Sequence, residues 1–510
     1  MSCRFAPFAV LLGATLSILA TPATNSRPVS LQECFVMALE KNLELRISRY
    51  NPQFALFNLA AARAGYEPTL GLSGQHDHDE SGSRLLSGGF TVPGAESDSD
   101  SFRGGLNGLT PWGMTYGLNA NARETSGDNF YFDTNLNRSV GVPFQNSGGS
   151  VSVDVVQPLL KNFWIDSTRL NIEVAKNRVQ YSELGLKASI IDIVTRVELA
   201  YYDLAFANEN VKVQQKGLEL AERLLAENKK RVEVGALAPL DEKQSEAAVA
   251  ARRADLISAQ RNLDVLENEL KRLLSDDFRL WRNDRLVPDE GLNAERELLD
   301  VQQSWTRGLT TRPELLQAEL DLERSGLDVR YDRNQLYPQL DAFGTFGYNG
   351  SGEVFDDTFN EVGDRDRPFY TVGGRIVFPL GNGAARNRYK SSQASQEQSV
   401  LIVKKLEQDI MVQIDNAIKL AQSNYERVGA TREAREYAEA ALAAEEKKLE
   451  NGKSTSFFVL QLQRDLTEAQ SAEIQALVQY KRSLAQLAQA EGYTLDRRKI
   501  DLTVKEEEKW

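Results

Sequence analysis

"VEVGALAPL" (Val232–Leu240) interrupts a long run of charged, alanine-rich sequence with Gly235 and Pro239, and "LENGKSTSF" (Leu449–Phe457) interrupts a second such run with Gly452. Glycine ends helices by taking up left-handed backbone, and proline begins a helix more readily than it continues one. Each stretch therefore predicts a reversal between two helices. The run ahead of Gly235, from Arg169 to Val232, places Ile190, Val197, Leu204 and Val211 on one heptad position and Ile172, Val179, Leu186 and Ile193 on another. Such a seam marks a coiled-coil helix, and at 1.5 Å per residue this one reaches roughly 100 Å. The returning leg keeps a seam through Leu256, Ala259, Leu263, Leu266 and Leu270.

Two matching tips imply a doubled chain. Glu44 and Glu314, then Pro68 and Pro338, share an offset of about 270 residues, whereas Pro158 and Pro379, then Gly235 and Gly452, share one near 220. The first half thus holds about 50 extra residues between its prolines. The pattern predicts one repeat over 24–290 and another over 291–492, each reading helix, strand, loop, strand, long helix, glycine break, helix. One of these helices is expected from about Ala294 to Gln335, and residues 493–510 form a charged tail.

The strands rest on alternation. Val151, Val153 and Val155 oppose Ser152 and Asp154; Leu340, Ala342, Phe346 and Tyr348 oppose Asp341 and Thr345; Tyr370, Val372, Ile376 and Phe378 oppose Thr371 and Arg375. One apolar face ending in aromatics and one small or charged face suits lipid outside and water inside, although a soluble antiparallel sheet alternates in the same way. Pro68, Pro158, Pro338 and Pro379 fall at the junctions between strands and helices. Two strands per repeat give four per chain, or six if the extra segment supplies a hairpin. The smallest membrane barrel has about eight, so copies must combine to close one.

Composition narrows the function. A formal charge of -13 argues against nucleic acid as a partner. No phosphate-binding glycine loop, nucleophile elbow or Cys/His cluster is present, so neither catalysis nor a cofactor is expected. Arg4 precedes an apolar run from Phe8 to Ala20 and then small residues, the pattern of an export signal over 1–23 that is too short to span a bilayer. Cys34 would then stand alone after removal of Cys3, as an ordinary buried helix cysteine. An exported chain without spanning helices can enter a membrane only as a closed barrel.

The order of elements, the doubled strand frames around the four prolines, "RPEL" at Arg312 and the "VG" and "NG" hairpin breaks resemble the TolC-like outer-membrane efflux protein family, over about Ser30 to Tyr493. The resemblance implies an α+β membrane protein of the outer membrane: a homotrimer whose twelve-stranded β-barrel continues into a periplasmic α-helical coiled-coil barrel. It implies a channel for tripartite efflux or type I secretion, seated in outer-membrane lipid. Its closed tip opens on docking to a periplasmic adaptor (membrane fusion) protein and an inner-membrane transporter.

Carried onto this sequence, the tip and docking surface fall on Gly235, Ala236, Leu237, Pro239, Gly452, Lys453, Ser454 and Thr455, and the aperture on Asp241, Glu242, Phe457, Phe458 and Gln461. Some relatives place acidic residues at the narrowest point of the second hairpin, where this chain has Phe458 and Gln461. An apolar constriction at Phe457 or Phe458 is therefore expected, with Asp241 and Glu242 supplying nearby charge. The insert over 79–150 is expected to extend outside the cell above the barrel, the other reading being two added wall strands; Thr110–Gly113 signals a hairpin within it. His76 and His78 of "HDHDE" share a strand face but lack a third metal ligand, so a polar strand end is expected. Arg386, Arg388 and Lys390 follow the last strand, where they meet lipid headgroups, the lumen or solvent. The competing class is a periplasmic coiled-coil adaptor or rod, which would need no lipid-type alternation.

Overall fold

The structure, a computed structural model, describes residues 26–86 and 89–500. The expected export signal with Cys3, and residues 501–510 of the expected tail, lie outside them.

The first half begins with β1 (Ser26–Val29) and α1 (Leu31–Lys41). The Ser30 hydroxyl accepts the Glu33 N–H while the Glu33 carboxylate accepts the Ser30 N–H, a reciprocal cap that starts α1. Next come α2 (Leu43–Ser48), α3 (Tyr50–Arg63) and β2 (Thr69–Glu80), then short β3 (Arg84–Leu85) and β4 (Thr91–Val92). They are followed by β5 (Glu96–Leu109), β6 (Thr115–Asp133) and β7 (Arg138–Pro158). The long α4 (Ser167–Glu233) and its return α5 (Pro239–Leu274) precede α6 (Phe278–Trp281) and β8 (Arg285–Pro288).

The second half holds α7 (Val301–Thr311), α8 (Pro313–Asn334), β9 (Gln339–Gly352), α9 (Phe355–Asp364), β10 (Pro368–Val377), α10 (Gly383–Glu450), α11 (Ser456–Ala490) and α12 (Thr494–Arg497). The single helix expected from Ala294 is thus two. Pro313 disfavours helical backbone at Arg312, which is extended at ψ 120°, and residues 294–300 have no regular structure.

The described chain forms two compact units, one of residues up to Ser48, Ala188–Arg312 and Ile410 onward, the other of Arg49–Lys187 and Pro313–Asp409. In the first, β1 and β8 pair in parallel, and Val197, Tyr201 and Leu204 of α4 are fully buried. The Tyr201 hydroxyl donates to the Val29 carbonyl at 3.3 Å and accepts the Glu290 N–H at 3.2 Å, so this phenol is buried with both roles satisfied. The expected tail does not simply extend into solvent. Leu495 is buried, and Arg498 pairs with the buried Glu198 of α4.

The second unit is built on one six-stranded antiparallel sheet in the order β10-β9-β7-β6-β5-β2. This corrects the expected four strands per chain. The insert over 79–150 is no separate excursion: β5 and β6 come from it and lie between β2 and β7. Its runs alternate like the others. Leu106 and Leu118 are paired across the ladder, as are Asn107 with Gly117 and Gly105 with Asn119 on the opposite side. The turn between β5 and β6, with Gly113 at φ 88°, lies at the end of the sheet where α4 begins. There the Leu109–Thr115 pair continues to Val156, and Arg169 of α4 donates to the Asn162 carbonyl at 3.2 Å.

Candidate functional site

The two tips are built alike. Gly235 (φ 77°) donates its N–H to the Val232 carbonyl at 2.9 Å and Ala236 to that of Arg231 at 2.8 Å; Gly452 (φ 70°) donates to Leu449 at 3.1 Å and Lys453 to Lys448 at 2.8 Å. These paired bonds close each helix around a left-handed residue. An added Cβ would meet nothing within 4 Å at either position, so glycine is required by backbone conformation rather than by space. Pro239 opens α5, where its missing N–H costs nothing, and the Asp241 carboxylate accepts the Ala238 N–H at 3.2 Å. Ala236, Lys453 and Thr455 are exposed, Leu237 and Ser454 half-buried. The Ser454 hydroxyl donates to Glu445, which also pairs with Lys448.

Below the turns a buried polar bridge joins the two hairpins. Asn228 of α4 donates to the Ser245 hydroxyl of α5 at 2.8 Å and accepts the Ser456 hydroxyl of α11 at 3.0 Å, while Ser245 donates to the Asp241 carbonyl at 2.9 Å. All three side chains are at most 1% exposed. Around them Leu224, Leu442, Leu449, Val459 and Leu466 form an apolar cluster drawn from both hairpins. A satisfied polar group within such a seam fixes register at some cost in stability. Sequence reasoning missed this bridge, although the signal was present: Asn228 falls on the same heptad position as Ile172 and Ile193, where an apolar residue is the rule.

The expected aperture residues divide. Phe457 and Phe458 meet edge to face at 5.7 Å and are 56% and 52% exposed, so they do not serve as the hairpin's core; Gln461 is exposed as well. Asp241 caps α5 instead of standing free, and Glu242 lies 4.0 Å from Lys229. Hydrogen bonds from Lys243 and then Lys229 hold the Glu246 carboxyl below the usual glutamate range, and those from Lys448 and Ser454 do the same for Glu445.

At the other functional element, the sheet, register sorts the side chains into two faces across all six strands. Leu70, Leu106, Leu118, Val153, Phe346 and Tyr370 follow one another on one face, and Thr69, Asn107, Gly117, Asp154, Thr345 and Thr371 on the other. Leu70, Leu118, Val153, Phe346 and Tyr370 are exposed and Leu106 is half-buried. On the polar face Asp154 accepts from Asn119 at 2.8 Å and Thr345 at 2.7 Å, and Arg375 pairs with Asp341 at 2.9 Å. From Leu159 to Gly149, at about 3.4 Å per residue and a tilt near 45°, the apolar face of β7 spans roughly 25 Å, the height of a bilayer's apolar band.

Pro68 and Pro338 immediately precede β2 and β9; Pro158 ends β7 and Pro379 follows β10. The residues after the last two share left-handed backbone at Asn162 (φ 65°) and Asn382 (φ 42°), each leading into a long helix. Nδ1 of His76 and of His78 donates to the carboxylates of Asp100 and Asp98 across the β2–β5 ladder, at 2.8 and 2.7 Å. Among the described residues no group of His, Cys, Asp and Glu could hold a metal ion, and no helix is long and apolar enough to cross a membrane. Cys34 is buried, and burial pushes its thiol up to about 12.

A two-faced sheet joined in sequence to helices of 67 and 68 residues is the fold of outer-membrane channels. The channel CmeC of Campylobacter jejuni matches with a TM-score of 0.65 at 14% identity, covering 96% of this chain and 95% of that one. The outer membrane protein VceC of Vibrio cholerae matches with a TM-score of 0.64 at 18% identity, covering 91% and 96%. The family model for outer membrane efflux proteins matches residues 116–275 and 306–493, and the chain belongs to that family. Its sequence is 24% identical over 338 residues to the outer membrane efflux protein BepC of Brucella suis, covering 64% of this chain and 68% of that protein. It is 23% identical over 306 residues to the pyoverdine export outer membrane protein OpmQ of Pseudomonas aeruginosa, covering 57% and 60%. The protein is located in the outer membrane, which sets aside the soluble adaptor or rod.

Proposed function

We propose that three copies close into one barrel and form the outer-membrane duct of a tripartite efflux or type I secretion system. The observation that carries this reading is the sheet itself: it has an apolar and a polar face, and among the described residues its edges β2 and β10 are both unpaired. Edge strands leave backbone donors and acceptors unmet, which lipid cannot satisfy, so edges must pair between copies. Three copies of a six-stranded sheet make eighteen strands, not the twelve of the sequence-based expectation. A barrel of 16 to 18 strands encloses an aqueous channel.

In this reading the polar face lines water and the long helices carry the passage into the periplasm. The tips at Gly235 and Gly452 meet a periplasmic adaptor and, through it, an inner-membrane transporter. The bridge at Asn228 holds the hairpins together in the closed state, and Phe457 and Phe458 form an apolar constriction. The wall itself is tested by planar-bilayer recording of the purified protein: stepwise, ohmic openings support it, and a protein that never conducts, even with the bridge removed by Asn228→Ala, contradicts it.

A further inference from the structure

The connection between β9 and β10 carries α9, and α9 lies on the apolar face of the sheet. Thr358, fully buried, donates to the Ser147 hydroxyl at 2.8 Å, and the Phe355 N–H reaches the Glu124 carboxylate at 2.8 Å. Ser147 and Glu124 are partners across the β6–β7 ladder, on the same face as Val151 and Val153. The helix approaches closely because Gly350 leaves room: a Cβ there would stand 2.4 Å from the Thr358 carbonyl oxygen. Phe102 of β5, Phe355 and Phe359 form a stepped aromatic row, with centroids 5.6 and 6.0 Å apart. Yet Phe359 remains 58% exposed.

Beside α9 the sheet is floored by small residues, leaving an open cleft of about 480 Å³ lined by Leu72, Phe102, Ala120, Ala122, Phe359 and Val362. Its place on the sheet is defined by register. On one side it runs into the apolar band through Leu72, Ala120 and Val151; on the other, the same face turns charged at His76, Asp100 and Glu124. Asp357 in the first turn of α9, set against Gly352, and Arg367 paired with Glu361 add polar groups on that side. The cleft therefore straddles the change from hydrocarbon to water.

We propose that α9 is an interfacial helix and that the cleft beside it seats an acyl chain of an outer-membrane lipid, with the charged rows at headgroup depth. This rests on the sheet being a membrane wall. Lipid is the occupant because the cleft opens on the face that continues into the apolar band through Leu72, Ala120 and Val151. An amphipathic helix with its apolar side against a membrane gains binding from buried apolar area. An exposed phenylalanine at its margin is then expected, since lipid covers it.

The test is photo-crosslinking of the full chain in outer membranes, with p-benzoylphenylalanine replacing Val362 in the cleft, Val153 in the apolar band, or Asn129 on the opposite, polar face, and mass spectrometry of the adducts. A lipid adduct at Val362 several-fold above that at Asn129, together with one at Val153, supports the proposal. A lipid adduct at Val153 but only a protein adduct, or none, at Val362 overturns it while leaving the wall intact. No lipid adduct at Val153 overturns the wall, and the cleft's occupant with it.

Discussion

Asn228 and Ser456 stand on different hairpins, 228 residues apart in sequence, and share a 3.0 Å hydrogen bond with both side chains buried. Such a bond is worth little while made, but removing one partner strands the other. Asn228→Ala leaves the Ser245 and Ser456 hydroxyls without this partner and is expected to cost about 1–3 kcal/mol. Because the bond ties one hairpin to the other, the variant should also conduct more than the parent in planar bilayers. A destabilised protein with parental conductance would mean that the bridge holds the fold but not the closure.

Phe458 is half exposed, and among the described residues its ring pairs only with that of its neighbour Phe457. Phe458→Ala is therefore expected to change thermal stability by no more than about 0.5 kcal/mol, as exposed substitutions generally do. Single-channel conductance should rise if the ring narrows the passage. Unchanged conductance would remove Phe458 from the constriction.

The carboxyls of Glu246 and Glu445 are held below the ordinary glutamate value of 4.5 by Lys243 and Lys229 and by Lys448 and Ser454. A group whose pKa is depressed by folding adds stability above its unfolded value, and that contribution is lost as pH falls through the folded value. These two carboxyls should thus add nothing further above about pH 5, and the tips should loosen as pH falls below about 4.5. Conductance followed down a pH series reads this directly, and Glu246→Gln should flatten the change.

The turn at Trp112 lies at the end of the sheet where α4 begins, while the opposite turn carries Leu136 and the left-handed Asn137. In intact cells a membrane-impermeant maleimide is expected to label Leu136→Cys and not Trp112→Cys. Labelling of Trp112→Cys from outside would return the insert to the cell exterior. Cys34 is buried and does not compete for the reagent.

Both tips were legible in the sequence because a glycine in left-handed backbone is a local requirement, written at Gly235 and again at Gly452. The face assignments were legible too: Val153, Phe346 and Tyr370 alternate within their own strands, and register only had to join them. What failed was pairing. Whether β5 and β6 enter the sheet depends on hydrogen bonds to β2 and β7, which alternation does not specify, and their many glycines and serines weaken the apolar signal. Asn228 was passed over for a related reason. A polar residue on a seam has meaning only once Ser245 and Ser456, from two other helices, are seen to meet it.

In the proposed wall the β2 edge of one copy meets the β10 edge of the next. Within a chain these edges are separated by four strands, so their backbones lie about 24 Å apart at roughly 4.8 Å per strand, and no disulfide can join them. Cysteines at Gly71 of β2, where a Cβ meets nothing, and at successive positions from Phe369 to Arg375 of β10 can therefore bond only between chains. Under oxidation in outer membranes at least one pair should give covalent dimers and trimers that stop at three. A scan that yields only monomer, or a ladder running past three, would contradict the closed three-copy wall.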